Sequence, residues 1–198
     1  GDINRYGLTL VIGGGEVTLL DITSAYGVFA NDGKRNPYTG ILKIEDNAGR
    51  ILEEFTQDEK EILPKNTALM ISDILSDNTA RTPTFGANSS LVVSGHDVAA
   101  KTGTTNSNKD AWTIGYSPSI VVGVWAGNND NKPMKKGGSA LAGPIWNKFM
   151  KEALAKLPSD NFEEPDLYFD PAKYKPILRG LWQGNDSFVI DTVSGNLA

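Results

Sequence analysis

The 198-residue chain is 39% hydrophobic and 22% charged, with a net charge of −5. It is long enough for one domain with its own core, and this composition excludes the disordered and fibrous classes. The acidic balance and the lack of a basic patch argue against nucleic acid as a partner. Cysteine is absent, which excludes disulfides and Cys-ligated zinc, and no apolar run approaches the ~20 residues of a membrane-spanning helix.

The part of the chain before residue 78 predicts two helices separated by a hairpin. Apolar residues recur at helical spacing in 16–32, and Thr18 with Asp21 resembles a capping box. Two Ile- and Leu-rich runs within 39–55 flank an Asn-Ala-Gly turn, which predicts the hairpin. Residues 63–77 predict the second helix. Its buried face would carry Ala68, Ile71, Ile74 and Leu75.

The part after residue 78 predicts a loop, an antiparallel meander and a long helix. Residues 79–95 predict the loop, and 97–127 contains three strand-like runs, the last two joined by a Ser-Pro-Ser turn. Residues 140–157 predict a helix with Pro144 at its start. Its apolar stripe would consist of Ile145, Trp146, Phe149, Met150, Ala153, Leu154 and Leu157. The predicted fold class is α+β, an antiparallel sheet packed against helices. The core between them would contain Trp112, Trp125 and Trp146.

The chain divides into two predicted parts at a change of composition. Residues 1–158 contain all of the elements above, whereas 159–198 begin with a proline-rich, acidic stretch typical of a linker and end in a small extension. The chain starts at Gly1, without a Met and with an apolar segment already under way, which suggests that it continues a longer polypeptide.

The first strand of the meander ends in an unusual polar run, Lys-Thr-Gly-Thr-Thr. Lys101 supplies a fixed positive charge, and Gly103 allows a ligand to approach the strand closely. The hydroxyls of Thr102, Thr104 and Thr105 can hold a carboxylate, and backbone N–H groups at a strand edge can stabilise an oxyanion. The run therefore predicts a site for an extended anionic substrate beside an acyl-transfer centre. The alternative is a polar hairpin end with a solvated lysine.

The remaining polar residues predict neither a metal, nor a cofactor, nor a second catalytic centre. His96 is the only histidine and neighbours a turn glycine, so we interpret it as a surface residue. One histidine without cysteine argues against a transition-metal site, and 128–131 lacks the spaced acids of a calcium loop. The glycine triplet at 13–15 lacks the pattern of a phosphate-binding loop, so we interpret it as a turn.

Three long segments resemble the transpeptidase domain of bifunctional class A penicillin-binding proteins. They read "GLTLVIGGGEVTLLDITSAYGVFANDGKRNPYTGILKIED", "VAAKTGTTNSNKDAWTIGYSPSIVVGVWAGNNDNKPM" and "GGSALAGPIWNKFM", and the likeness covers about residues 6–157. K-T-G is one of three signature motifs of that superfamily, with S-x-x-K and S-D-N. The resemblance implies the C-terminal portion of the serine β-lactamase/transpeptidase fold.

The resemblance also implies an enzyme that cross-links peptidoglycan by acyl transfer. A serine would attack the D-Ala-D-Ala end of a stem peptide, an amine from a neighbouring stem would resolve the acyl-enzyme, and β-lactams would acylate the same serine. By resemblance, Lys101 lies beside the serine of the middle motif, and Thr102 and Thr104 hold the substrate carboxylate. Gly103 lets the acyl chain approach, and the Thr104 N–H is an oxyanion donor.

The signature set is incomplete, because no serine of the chain begins an S-x-x-K motif. Residues 76–78 spell S-D-N, but they end a helix that matches a different part of the family domain, so we interpret them as a helix terminus. The chain is therefore predicted to contribute the K-T-G wall of a transpeptidase cleft without its nucleophile. By itself it would be inactive, whereas its parent would be a serine-type D-Ala-D-Ala transpeptidase.

The expected partners are peptidoglycan stem peptides and β-lactams. A truncated domain would also leave apolar surface exposed, which predicts binding of the missing N-terminal part or self-association. Membrane attachment would run only through an anchor outside this chain, at the extracytoplasmic face of the bacterial cytoplasmic membrane. Two alternatives stay open: a non-catalytic module that binds peptidoglycan or a partner protein, and a serine β-lactamase or D,D-carboxypeptidase.

Overall fold

A computed structural model describes residues 6–166. The first of two units ends at Pro165, and of the predicted C-terminal part, 159–198, only residues 159–166 are described. The described helices are α1 (Leu19–Ala30), α2 (Lys65–Ser76), α3 (Asn78–Phe85) and α4 (Gly138–Leu154). The described strands are β1 (Lys34–Arg35), β2 (Lys43–Glu45), β3 (Ile51–Glu54), β4 (Lys60–Glu61), β5 (Ala99–Thr104), β6 (Asp110–Ser117) and β7 (Ile120–Gly127).

The predicted meander is the central sheet of the first unit. Its strands pair antiparallel in the order β5-β6-β7, so β5 is an edge strand among residues 6–166. Helix α1 packs on one face, where Gly123 lies directly beneath Thr23. Helix α4 packs on the other face, where the Trp146 indole covers Gly115. A helix on each face of an antiparallel sheet confirms the predicted α+β class.

The core lies between the sheet and α4. It contains Trp146, Met150 and Leu154 from the helix, together with Leu91, Val93, Val98 and Ala100. The predicted stripe on α4 was too broad, because Ile145 and Phe149 are 56% and 54% exposed. Helix α4 also begins before Pro144, at Gly138, where the N–H groups of Ala140 and Leu141 both donate to the Gly137 carbonyl.

Local signals placed α1 and the hairpin correctly. The Thr18 hydroxyl accepts a hydrogen bond from the Asp21 N–H at 3.1 Å and donates to the Asp21 carboxylate at 2.7 Å, so it caps α1 as predicted. Strands β2 and β3 pair antiparallel, and Gly49 has the positive φ of 77° that the predicted turn requires. The hairpin prediction is therefore confirmed, with one irregularity after Ile44.

The predicted buried face of α2 was wrong in part. Ile74 is 67% exposed, whereas Ala68, Leu69 and Ser72 are buried. A serine is tolerated there because its hydroxyl donates to the Ala68 carbonyl and lies 3.0 Å from the Tyr116 hydroxyl.

The predicted loop at 79–95 was also wrong at its start, because α3 occupies residues 78–85. Asp77 caps this helix by accepting a hydrogen bond from the Ala80 N–H at 2.9 Å. Pro83, a residue typical of loops, lies inside the helix, which ends at Gly86 with a φ of 82°. A strong cap and a terminating glycine support a helix of this length despite the proline.

The segment after α4 packs against the rest of the first unit through residues 160–163. The Phe162 ring lies 5.5 Å from the Tyr116 ring, and the Phe162 N–H donates to Asp97 at 3.2 Å. Ser119 donates to Asp160, and Lys65 pairs with Glu163. The unit thus continues past the predicted boundary at 158.

Large apolar side chains of the first unit are exposed on the N-terminal side of α1. The 3₁₀ turn Gly7–Ile12 contains no buried residue, and Val11 and Ile12 are each 86% exposed. A monomeric surface rarely carries a large apolar patch without a partner. Coverage by a further segment or by a second copy stays a prediction.

Candidate functional site

The K-T-G run lies at the end of β5, along the outer edge of the sheet. Lys101 faces the α1 side and is exposed, and its ammonium donates to the Thr102 carbonyl at 2.7 Å. Among residues 6–166 it forms no ion pair with an acidic side chain. The charge is therefore available to an anion that approaches the strand edge.

Thr102 and Thr104 lie on the opposite, α4 side of the same strand. The Thr104 hydroxyl accepts a hydrogen bond from the Gly138 N–H at 2.9 Å, which leaves its own proton free for another acceptor. Within the described part of the chain the Thr102 hydroxyl has no hydrogen-bond partner. The Thr104 hydroxyl thus lies beside the N-terminus of α4, where the helix dipole favours negative charge, and Thr102 lies on the same side of the strand.

Two adjacent glycines allow α4 to meet β5 at this point. A Cβ on Gly138 would lie 2.7 Å from the Trp112 carbonyl oxygen and still closer to the Gly103 carbonyl oxygen. A Cβ on Gly137 would lie 2.8 Å from the Thr104 hydroxyl. This pair was not predicted from the sequence. The signal that could have found it is a Gly-Gly step directly before a helix.

Gly103 itself is not required by the fold. Its φ is not positive, and a Cβ there would meet its nearest neighbour, the Trp112 Cβ, at 3.4 Å, which is an ordinary contact. Packing within the fold therefore does not account for a glycine at this position. Its predicted role, to allow a ligand to approach the strand closely, stays a prediction.

Thr105 is occupied within the β5–β6 hairpin. Its hydroxyl donates to one Asp110 carboxylate oxygen at 2.7 Å and accepts from the Asp110 N–H at 2.9 Å. The other Asp110 oxygen accepts from the Trp125 indole N–H at 3.0 Å. The only proton of the Thr105 hydroxyl is thus used internally, and we keep Thr105 out of the anion-binding set proposed below.

The S-D-N triplet at 76–78 satisfies backbone groups, as predicted. Ser76 donates to the Asp73 carbonyl, and Asn78 donates to the Ala87 carbonyl at 3.0 Å. A second S-D-N triplet, at 159–161, was not singled out from the sequence. It also has a structural contact, because the Ser119 hydroxyl donates to the Asp160 carboxylate. Neither triplet contributes to the K-T-G edge.

Other candidate sites are sparse in the described residues. No group of three His, Cys, Asp or Glu side chains there could hold a metal ion. A shallow depression of about 440 Å³ lies between 88–94 and α4, and it shares no lining residue with the K-T-G run. Residues 128–131 form the predicted turn, with Asn131 at a φ of 57°. Helices within 6–166 are all too short or too polar to span a bilayer.

The chain belongs to the penicillin-binding protein transpeptidase domain family, because the model of that family matches residues 5–151. Penicillin-binding protein 1A of Aquifex aeolicus is 40% identical over 163 residues, which cover 79% of this chain. Penicillin-binding protein 1A of Neisseria lactamica is 36% identical over 170 residues. The chain spans only 21% and 20% of the lengths of these two relatives.

Solved structures share the fold. The penicillin-binding protein PonA1 from Mycobacterium tuberculosis aligns with a TM-score of 0.71 at 27% identity, over 79% of this chain and 43% of that one. Penicillin-binding protein A from the same organism, solved as an imipenem acyl-enzyme complex, aligns with a TM-score of 0.58 at 19% identity, over 71% of this chain and 33% of that one. The second likeness shows the fold alone.

Proposed function

We propose that the chain forms the K-T-G wall of the acyl-transfer cleft of a peptidoglycan D,D-transpeptidase. The observation that carries the proposal is the juxtaposition at one sheet edge of two available hydroxyls, a helix N-terminus and a lysine that forms no ion pair within residues 6–166. This arrangement suits a ligand with a terminal carboxylate. Membership of the transpeptidase family supports the same chemistry.

Each residue of the edge has a defined part in this proposal. The hydroxyls of Thr102 and Thr104 donate to the carboxylate of the terminal D-alanine, and Lys101 adds positive potential. The Thr104 N–H stabilises the oxyanion that forms when the scissile carbonyl is attacked. The nucleophilic serine comes from outside this chain, because no S-x-x-K motif occurs within it.

β-Lactams are the proposed inhibitors of the complete domain. They carry a carboxylate beside a reactive carbonyl, as the acyl-D-Ala-D-Ala end does, and the related penicillin-binding protein A forms an acyl-enzyme with imipenem. The parent protein would act outside the bacterial cytoplasmic membrane, where its substrate lies. A β-lactamase or carboxypeptidase differs in resolving the acyl-enzyme with water rather than with an amine.

Two measurements on the 198-residue chain test the proposal. Fluorescent penicillin should not label it covalently, because the nucleophile is absent, and covalent labelling would contradict that account. N-acetyl-D-alanyl-D-alanine should still bind weakly, with NMR shifts at 101–104 and at Gly138. Lys101→Ala and Thr104→Val should each weaken binding by roughly three- to tenfold.

The matched control is Lys156→Ala, which removes an exposed lysine near the end of α4. It changes the net charge as Lys101→Ala does but should leave the affinity unchanged. Equal effects of the two lysine variants, or no effect of either site variant, would contradict the proposed edge site.

A further inference from the structure

Two tryptophans form an aromatic surface across the sheet from Gly103. The register places Gly103, Trp112 and Trp125 in one row on the α1 face of β5, β6 and β7. The two indole rings meet edge to face, with 6.5 Å between their centroids. Trp112 is half-buried, and Trp125 is 38% exposed, although the sequence predicted both for the core.

A hydrogen-bond relay holds this pair in place. Thr105 binds Asp110 through two hydrogen bonds, and Asp110 accepts from the Trp125 indole N–H. Trp125 in turn abuts Trp112. An exposed tryptophan with a fixed ring orientation has lost its side-chain freedom before any ligand arrives, so less entropy is lost on binding.

The absence of a side chain at Gly103 keeps Trp112 accessible from the strand edge. A Cβ at Gly103 would lie 3.9 Å from Cγ and 4.0 Å from Cδ1 of the Trp112 ring, so a larger side chain would cover it. An extended ligand beside β5 would present successive groups to alternate faces of the sheet. Its carboxylate would face Thr102 and Thr104, and a neighbouring apolar group would face Trp112.

We propose that Trp112, supported by Trp125, is a subsite for the apolar part of the acyl chain of a D-alanyl-D-alanine ligand. This inference rests on the proposed function, because the K-T-G edge is what holds the carboxylate end. Trp112 is the contacting residue. Thr105 and Asp110 are positioning residues, which act through Trp125 and touch no ligand.

Two probes with the same anionic end test the subsite, namely N-acetyl- and N-hexanoyl-D-alanyl-D-alanine. Burial of about two of the four additional methylenes against the indole gives the hexanoyl probe an affinity roughly tenfold higher. The ratio of the two affinities is the readout. It should fall close to one in Trp112→Ala, be largely retained in Trp112→Phe, and be unchanged in Phe149→Ala, which removes an exposed aromatic ring from α4.

A second pair of variants tests the hydrogen-bond relay from Thr105 through Asp110 to Trp125. This pair remains informative if Trp112→Ala does not fold. Thr105→Val removes the hydroxyl, so the Trp125 indole N–H signal should shift and the affinity ratio should fall about two- to threefold. Thr105→Ser keeps the hydroxyl and should restore both the signal and the ratio. A relay without influence on the ligand would leave the ratio equal in the two variants, and that result would overturn the positioning role.

The same titrations separate failure of the subsite from failure of the proposed function. Equal affinities of the two probes, with both weakened by Lys101→Ala, would overturn the subsite and leave the edge site intact. Lack of binding by either probe, or binding that Lys101→Ala does not weaken, would overturn both.

Discussion

Replacing Gly138 with Ala should destabilise the first unit and disturb the K-T-G edge together. The added methyl group would lie 2.7 Å from the Trp112 carbonyl oxygen and closer still to the Gly103 carbonyl oxygen. Both atoms belong to the backbone of paired strands, so neither can rotate away. The start of α4 must therefore move outward by roughly 1 Å to restore van der Waals distances.

The magnitude follows from this overlap. Overpacking of a well-packed contact costs about 1–3 kcal/mol, and alanine recovers at most about 0.5–1 kcal/mol through helix propensity. The recovered part is small here because Gly138 is the first residue of α4. We expect the free energy of unfolding to fall by about 1–2 kcal/mol. Displacement of α4 also weakens the hydrogen bond from the Gly138 N–H to Thr104.

Denaturant unfolding of the 198-residue chain measures the first effect, and affinity for N-acetyl-D-alanyl-D-alanine measures the second. Gly40→Ala is the matched control, because a Cβ at Gly40 has no heavy atom within 4 Å and its φ is not positive. If Gly138→Ala and Gly40→Ala unfold at the same denaturant concentration, close approach of α4 to β5 does not limit stability, and our reasoning is refuted.

Three further predictions concern the core and the segment after α4 that packs against Tyr116. Trp146→Ala should cost about 3–5 kcal/mol in denaturant unfolding, against less than about 1 kcal/mol for the exposed Ile145, and equal costs would contradict the assigned core face. Burial raises the pKa of Tyr116 from 10.0 to about 12, so the folded chain keeps this proton after the unfolded chain has lost it. The contribution of Tyr116 to the free energy of unfolding should therefore be constant below about pH 10 and be lost toward pH 12, a step that Tyr116→Phe should reduce. Phe162→Ala removes a ring contact with Tyr116 and should speed proteolysis at 159–166, and an unchanged cleavage rate would argue against that contact.

Hydrogen bonds within one turn of the chain explain why several elements could be predicted. Thr18 caps α1 through Asp21, and Gly49 supplies the positive φ of the β2–β3 turn. The three runs of the meander also appear as β5, β6 and β7, because residues with high strand propensity alternate with short turns. These interactions depend on neighbours in sequence, so they are visible before the fold is known.

Predictions that required a choice between two apolar faces were less accurate. Ser72 is buried and Ile74 exposed on α2, because Tyr116 from a distant strand supplies a hydrogen-bond partner for the serine. Phe149 continues the apolar period of α4 but lies outside its contact with the sheet. Periodicity shows which residues share a helix face, whereas the packing angle against the sheet decides how much of that face is covered.

The residue types of the candidate site could be predicted directly from the sequence. The hydrogen-bond partner of each threonine could not. A lysine, a glycine and three threonines at a strand end indicate anion binding through their chemistry alone. Thr104 meets the N–H of Gly138, 34 residues away, whereas Thr105 is bound to Asp110 and, through it, to Trp125. Identical side chains therefore have different hydrogen-bond partners, because the pleat of the strand and the pairing of the hairpin orient each hydroxyl toward a different neighbour.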